Sequence, residues 1–125
     1  MPPANDDIRL AQIGQIAQPV KDLDRAIIFY RDVLGMKFLF RVPNLAFFDC
    51  AGVHLMLDVP AEPHGSTLYF KVDELERTYE TLMSRGVAFE EKPHMIAKMP
   101  DHELWMAFFR DPDRNLLALM SEVRH

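Results

Sequence analysis

Residues 16–38, IAQPVKDLDRAIIFYRDVLGMKF, set the reading of the fold because residues 68–90, LYFKVDELERTYETLMSRGVAFE, repeat them. Val20 falls on Val72, Leu23 on Leu75, Asp24 on Glu76 and Arg25 on Arg77. After a one-residue slip, Gly35 falls on Gly86 and Phe38 on Phe89. A second block repeats in the same order: AFFDCAGVHLML (46–57) lies over AFFRDPDRNLLALM (107–120), with Leu55 and Leu57 on Leu117 and Leu119 after one gap. Two blocks repeated in one order mark an internal duplication.

Each copy has the same local grammar. The run Ile13–Val20 reads as a short strand, and Asp22 as the N-cap of a helix. Leu23, Ala26, Ile27, Tyr30 and Val33 then recur at three- and four-residue steps, which predicts one apolar helix face. Gly35 stands where a left-handed C-cap is expected. In the second copy, residues 68–72 form the strand, Asp73 the cap, Leu75, Tyr79 and Leu82 the stripe, and Gly86 the stop. Strand-like runs come after each helix: about 36–41, 44–49 and 53–58, then about 88–91, 94–98 with 104–110, and 115–121. The expected class is α+β, with two tandem βαβββ modules forming a curved mixed sheet around a cavity and helices on the outer face. A helix covers only one sheet face, so the other face of each copy is left for a ligand. The expected boundaries are one domain over 8–122, with module 1 at about 8–60, a Pro-rich linker at about 59–65, and module 2 at about 66–122.

Bulk properties exclude several function classes. The 125 residues make one ordinary domain, 49% hydrophobic and 26% charged, with a formal net charge of −5. An acidic chain without a Lys/Arg stripe repels a phosphate backbone, so a nucleic-acid partner is not expected. The single cysteine, Cys50, allows neither an internal disulfide nor a C-x-x-C site. The start MPPANDDIRL lacks the basic and apolar segments of a signal peptide, and no apolar run approaches the ~20 residues that span a bilayer. The expectation is a cytoplasmic protein with no membrane partner.

VKDLDRAIIFYRDVLGM (20–36) and FFRDPDRNLLALM (108–120) resemble the first-helix signature and the closing turn-and-strand of the vicinal-oxygen-chelate superfamily, which holds glyoxalases, bleomycin-resistance proteins and extradiol dioxygenases. The resemblance runs over about residues 10–121. One departure is Arg114, where the family usually has Gly. The expectation is that the turn shifts its positive φ to Asn115, which tolerates it better.

The resemblance implies one metal ligand from the first and one from the last strand of each copy, usually His, Glu or Gln. Those positions here are Gln15, Met56, Thr67 and Ala118. They offer a neutral carbonyl, a soft thioether, a hydroxyl and nothing, with no anionic group. No metal or other cofactor is therefore expected. Strand alternation adds His54, Tyr69, Leu116 and Met120 to the same face, and the hairpin-like segment KPHMIAKMPDHELWMAFF (92–109) adds Trp105. The expected ligand set is Gln15, His54, Met56, Thr67, Tyr69, Trp105, Leu116, Ala118 and Met120, an apolar, thioether-rich wall for a small organic molecule. His94 and His54 are the candidates for proton transfer, and His102 reads as a solvated residue of the MPDHE turn. Cys50 has no histidine partner for nucleophilic chemistry, and His64 and His125 suggest none.

These residues leave three readings open. In the first, a metal-independent binding protein of the bleomycin-resistance kind sequesters its ligand. In the second, a lyase, isomerase or dioxygenase uses an atypical metal or acid/base group. In the third, a partner chain completes the pocket; the resemblance implies a homodimer.

Overall fold

The computed structural model describes residues 8–124. His125 lies outside them. The elements run β1 (Ile13–Pro19), α1 (Leu23–Ile28), a π-helical turn (Phe29–Val33), β2 (Lys37–Val42), β3 (Leu45–Cys50) and β4 (Val53–Asp58). They continue as β5 (Thr67–Lys71), α2 (Leu75–Ser84), β6 (His94–Lys98), β7 (His102–Arg110) and β8 (Leu116–Arg124). This is an α+β chain with two βαβββ copies. Contacts divide it into two compact units. Gly14–Leu68 forms one, and residues 69–124, together with residues 8–13, form the other.

In the first unit the strand order is β2-β3-β4-β1. β1 runs parallel to β4 with Gln15 opposite His54, and β3 is antiparallel to both β2 and β4. Asp22 caps α1 as its sequence position implies, its carboxylate accepting from Arg25 N at 3.1 Å. Leu23 and Ile27 of α1 bury against Ala46, Phe48 and Leu57, with Ala26, Tyr30 and Leu55 around them. Burying each such side chain is worth about 1.5–3 kcal/mol.

The apolar stripe ends sooner than the sequence implies. Leu34 N donates to Phe29 O and Met36 N to Tyr30 O, each at 3.0 Å. Closing turns five and six residues long widens the helix and rotates its last residues. Val33 therefore leaves the core face and is 67% exposed. Gly35 then takes φ 73°, the left-handed stop expected of it.

The second unit repeats the order as β6-β7-β8-β5. β7 is antiparallel to β6 and β8, and Val72 N donates to Met120 O at 2.9 Å. Leu75 and Leu82 of α2 bury against Ala107, Phe109 and Leu119, with Tyr79 and Phe89 packed alongside. Leu10 joins this core, and Lys71 N donates to Gln12 O at 2.8 Å, so the segment before β1 belongs with the second copy's helix and strand.

Four local expectations need correction. The cap of α2 is Glu74, with no side-chain hydrogen bond to the helix, and Asp73 instead offers its carbonyl to Ser121 Oγ at 3.5 Å. Glu74 aligns with Asp22, but its extra methylene makes it a poor N-cap. The run at 88–91 is reduced to one bridge, Phe89 to Phe109, while the 94–98 and 102–110 arms pair as a hairpin closed by Met99 N to His102 O at 2.8 Å. The stripe on α2 also includes buried Thr78 and Thr81, which the apolar pattern passed over. Finally, Arg114 itself holds positive φ, 71°, and Asn115 does not. The cause is Asp111, whose carboxylate accepts from Asp113 N at 2.9 Å, Asn115 N at 2.8 Å and Asn115 Nδ2 at 2.9 Å. Asn115 is pinned at both ends, so the left-handed residue falls one position earlier.

Candidate functional site

Pleating separates each unit's strands into two faces. In the first unit, Leu55 and Leu57 of β4 and Ala46 and Phe48 of β3 belong to the cluster around α1. The alternate residues His54, Met56 and Asp58 take the opposite face, with Phe47 paired to Met56 and Ala17 also in register with it. Phe40 continues the row on β2, its ring stacked on Phe47 at 4.7 Å. Gln15 lies on this face of β1 and is buried; its Nε2 faces Met56 Sδ at 4.0 Å. The result is an aromatic and thioether surface with one amide in it. Thr67 is buried as well, at the start of β5. His54 stands exposed at one end of the row.

The second unit repeats the arrangement. Leu117 and Leu119 face the helix, so Leu116, Ala118 and Met120 take the other face. Phe108 pairs with Ala118 and Met106 with Met120, and Tyr69 meets Phe108 edge to face at 6.0 Å. Ala118, Met120, Met106 and Tyr69 are all buried. His94 is in register with Met106, at the margin of this row.

Trp105 does not join that face. One residue out of phase with Met106, it packs with the cluster around Leu119, and its Nε1 donates to Glu103 Oε1 at 2.9 Å. Its place among the ligand-facing residues is corrected on that ground. Conversely, the sequence reading missed Phe40, Phe47, Met106 and Phe108. Their signal was present, since each sits in register with, or one pair away from, a residue already assigned to the open face.

The histidines differ in what holds them. His94 sets Nδ1 toward Lys92 O at 3.1 Å and Nε2 toward Glu91 Oε1 at 3.4 Å, so local acceptors engage both nitrogens. His102 sets Nδ1 toward Asp101 Oδ1 at 2.8 Å, and Asp101 also takes Arg124 Nη1 at 2.7 Å. Hydrogen bonding from His102 first, with the Arg124 charge a lesser cause, holds the Asp101 carboxyl below its usual range. His102 is mostly covered, which the reading of a solvated turn did not anticipate.

Gln15, Met56, Thr67 and Ala118 supply one amide, one thioether and one hydroxyl, and the Gln15 amide is turned with its NH2 toward the sulfur. Neither a hard nor a borderline divalent ion is matched by these groups. Among the described residues, no group of three or more His, Cys, Asp or Glu side chains could hold an ion. The residues present do not fit the superfamily's metal.

The sequence profile of the Glyoxalase/Bleomycin resistance protein/Dioxygenase superfamily matches residues 12–119. The chain belongs to this superfamily. An uncharacterized protein, YraH, of Bacillus subtilis (strain 168) is 31% identical over 84% of this chain and 94% of its own length. The metallothiol transferase FosB of Lysinibacillus sphaericus (strain C3-41) is 26% identical over 81% of this chain and 75% of its own. The Mn(II)-bound glyoxalase of Novosphingobium aromaticivorans superposes with a TM-score of 0.75 at 22% identity, covering 93% of this chain and 40% of that one. Among the described residues, no helix is long and apolar enough to cross a membrane.

Proposed function

We propose that this protein binds a small, partly apolar organic molecule on the open sheet faces without a metal, as a sequestering member of its superfamily. One observation carries the reading: the superfamily's ligand positions hold Gln15, Met56, Thr67 and Ala118, set among aromatic and thioether side chains. Such a surface gains from burying apolar area, and methionine adapts to irregular shapes. The buried Gln15 amide supplies the polar point that orients a ligand. A homodimer, with a second copy of this chain as partner, is part of the proposal.

Elemental mass spectrometry of untagged protein purified without chelator is the first test. A folded, metal-free protein that gains thermal stability with aromatic or amphipathic metabolites supports it. A stoichiometric divalent ion refutes it. Light scattering showing a monomer at micromolar concentration removes the dimer.

The likeness to FosB, named a metallothiol transferase, favours a second reading as an enzyme of the superfamily with an atypical site. Its acid/base group would be His54 or His94, and unchanged turnover after replacing each, with Gln15, eliminates that assignment.

A further inference from the structure

The linker between the two copies is more than a tether. His64 sits in it with both ring nitrogens facing acceptors: Nδ1 lies 2.7 Å from Gly65 O, and Nε2 lies 3.1 Å from Asp58 Oδ2. A carbonyl oxygen only accepts, so Nδ1 carries a proton. When the Asp58 carboxylate is ionised it also only accepts, and the protonated ring is then the form that satisfies both contacts at once. Asp58 Oδ1, on the other side of the same carboxylate, is buried with no hydrogen-bond partner. His64 is thus the group that compensates this acid.

Beside this pair lies a concave pocket of about 470 Å³. Its wall is mostly apolar, built from Pro19, Val59, Pro60 and Pro63, and Lys21 and His64 also line it. Prolines fix their own φ, so the wall is preformed and costs little ordering on binding. The ionisable groups around His64 are Asp58 at the end of β4, Lys21 in the turn before α1, and Glu62 two residues earlier in the linker. Of these four groups only Lys21 and His64 line the concavity, so the charges its wall presents are cationic, with Asp58 paired behind His64.

We propose that this pocket binds a small organic monocarboxylate, its apolar body against Pro19, Pro60 and Pro63 and its carboxylate beside Lys21 and the His64 imidazolium. The site involves none of the superfamily's ligand positions, and it stands whether or not the open faces hold a ligand. Affinity tracks the proton on His64: the anion is held while the ring is cationic and released as pH rises through the His64 titration. The hydrogen bond to Gly65 first and then, against desolvation, the Asp58 carboxylate move that titration upward.

The test is a two-dimensional amide NMR titration of the full chain with benzoate, and with benzyl alcohol as a neutral match. Benzoate is expected to give saturable shifts at Val20, Lys21, Val59, Ala61 and His64 about one pH unit below the His64 midpoint, and several-fold weaker binding about one unit above it. Lys21→Met is expected to weaken benzoate about twofold to fivefold, the range of a partly exposed ion pair. His64→Gln is expected to remove the pH dependence while the fold is retained. Absence of saturable shifts at these residues overturns the proposal. Equal binding of benzyl alcohol, or benzoate affinity unchanged across the His64 midpoint, overturns it as well.

Discussion

Replacing Arg114 by glycine is expected to stabilise the protein by about 0.5–1 kcal/mol. Arg114 holds φ 71°, where the Cβ of an L-residue crowds the following carbonyl at about 1–2 kcal/mol. Glycine removes that strain but gains freedom in the unfolded chain, which returns about 0.4–1 kcal/mol. The bonds that shape the turn are main-chain at this position. Arg114 N donates to Asp111 O at 2.9 Å, and Arg114 O accepts from Arg110 Nη1 at 3.0 Å, so both survive the substitution. For a domain of this length the gain corresponds to roughly 2–5 °C in Tm. Urea unfolding followed by circular dichroism, with calorimetry for Tm, measures it. Arg114→Ala is the control: it keeps the Cβ and should gain nothing. A glycine variant no more stable than the parent, or an alanine variant that gains as much, refutes the strain argument.

Glu74→Asp should add about 0.5–1 kcal/mol by giving α2 the side-chain cap that α1 already has, read from the same urea curves. The His64 pKa is raised, first by the Gly65 carbonyl and then, against some desolvation, by Asp58. Its contribution to stability is therefore fully present below the ordinary histidine value and fades as pH rises through the raised one. Melting temperatures across that window should show the loss, and Asp58→Asn should reduce it. Met56→Lys places an ammonium on the face shared by Phe47 and Gln15, and should weaken a neutral apolar dye such as Nile red at least tenfold, or about 1.4 kcal/mol. Unchanged dye affinity would move the binding surface away from Met56.

The duplication, the α+β class and the split into helix-facing and open faces were all legible in the sequence. Each rests on short-range periodicity: steps of two residues in strands, and of three and four in helices. Asp22 and the two glycine stops were legible for the same reason, since a cap or a left-handed residue acts within a few positions of itself. That Gln15, Met56, Thr67 and Ala118 stand at the superfamily's ligand positions was what the resemblance implied, and the lack of an anionic group there is a fact of the sequence. The features that escaped the sequence depended on partners distant along the chain or on the length of a turn. The π-helical turn rotates Val33 outward through main-chain bonds that side-chain periodicity does not encode. Trp105 reads as one more aromatic until the register with Ser121 puts it on the helix side. Asp111 decides that Arg114 and not Asn115 carries the left-handed φ, because three hydrogen bonds converge on its carboxylate and two of them hold Asn115. His64 looked idle in a Pro-rich linker, and only the fold sets it against a buried acid at the end of β4. Local spacing thus determined the elements and their faces. Tertiary structure decided which polar groups meet, because those meetings join residues that are neighbours in space and not in sequence.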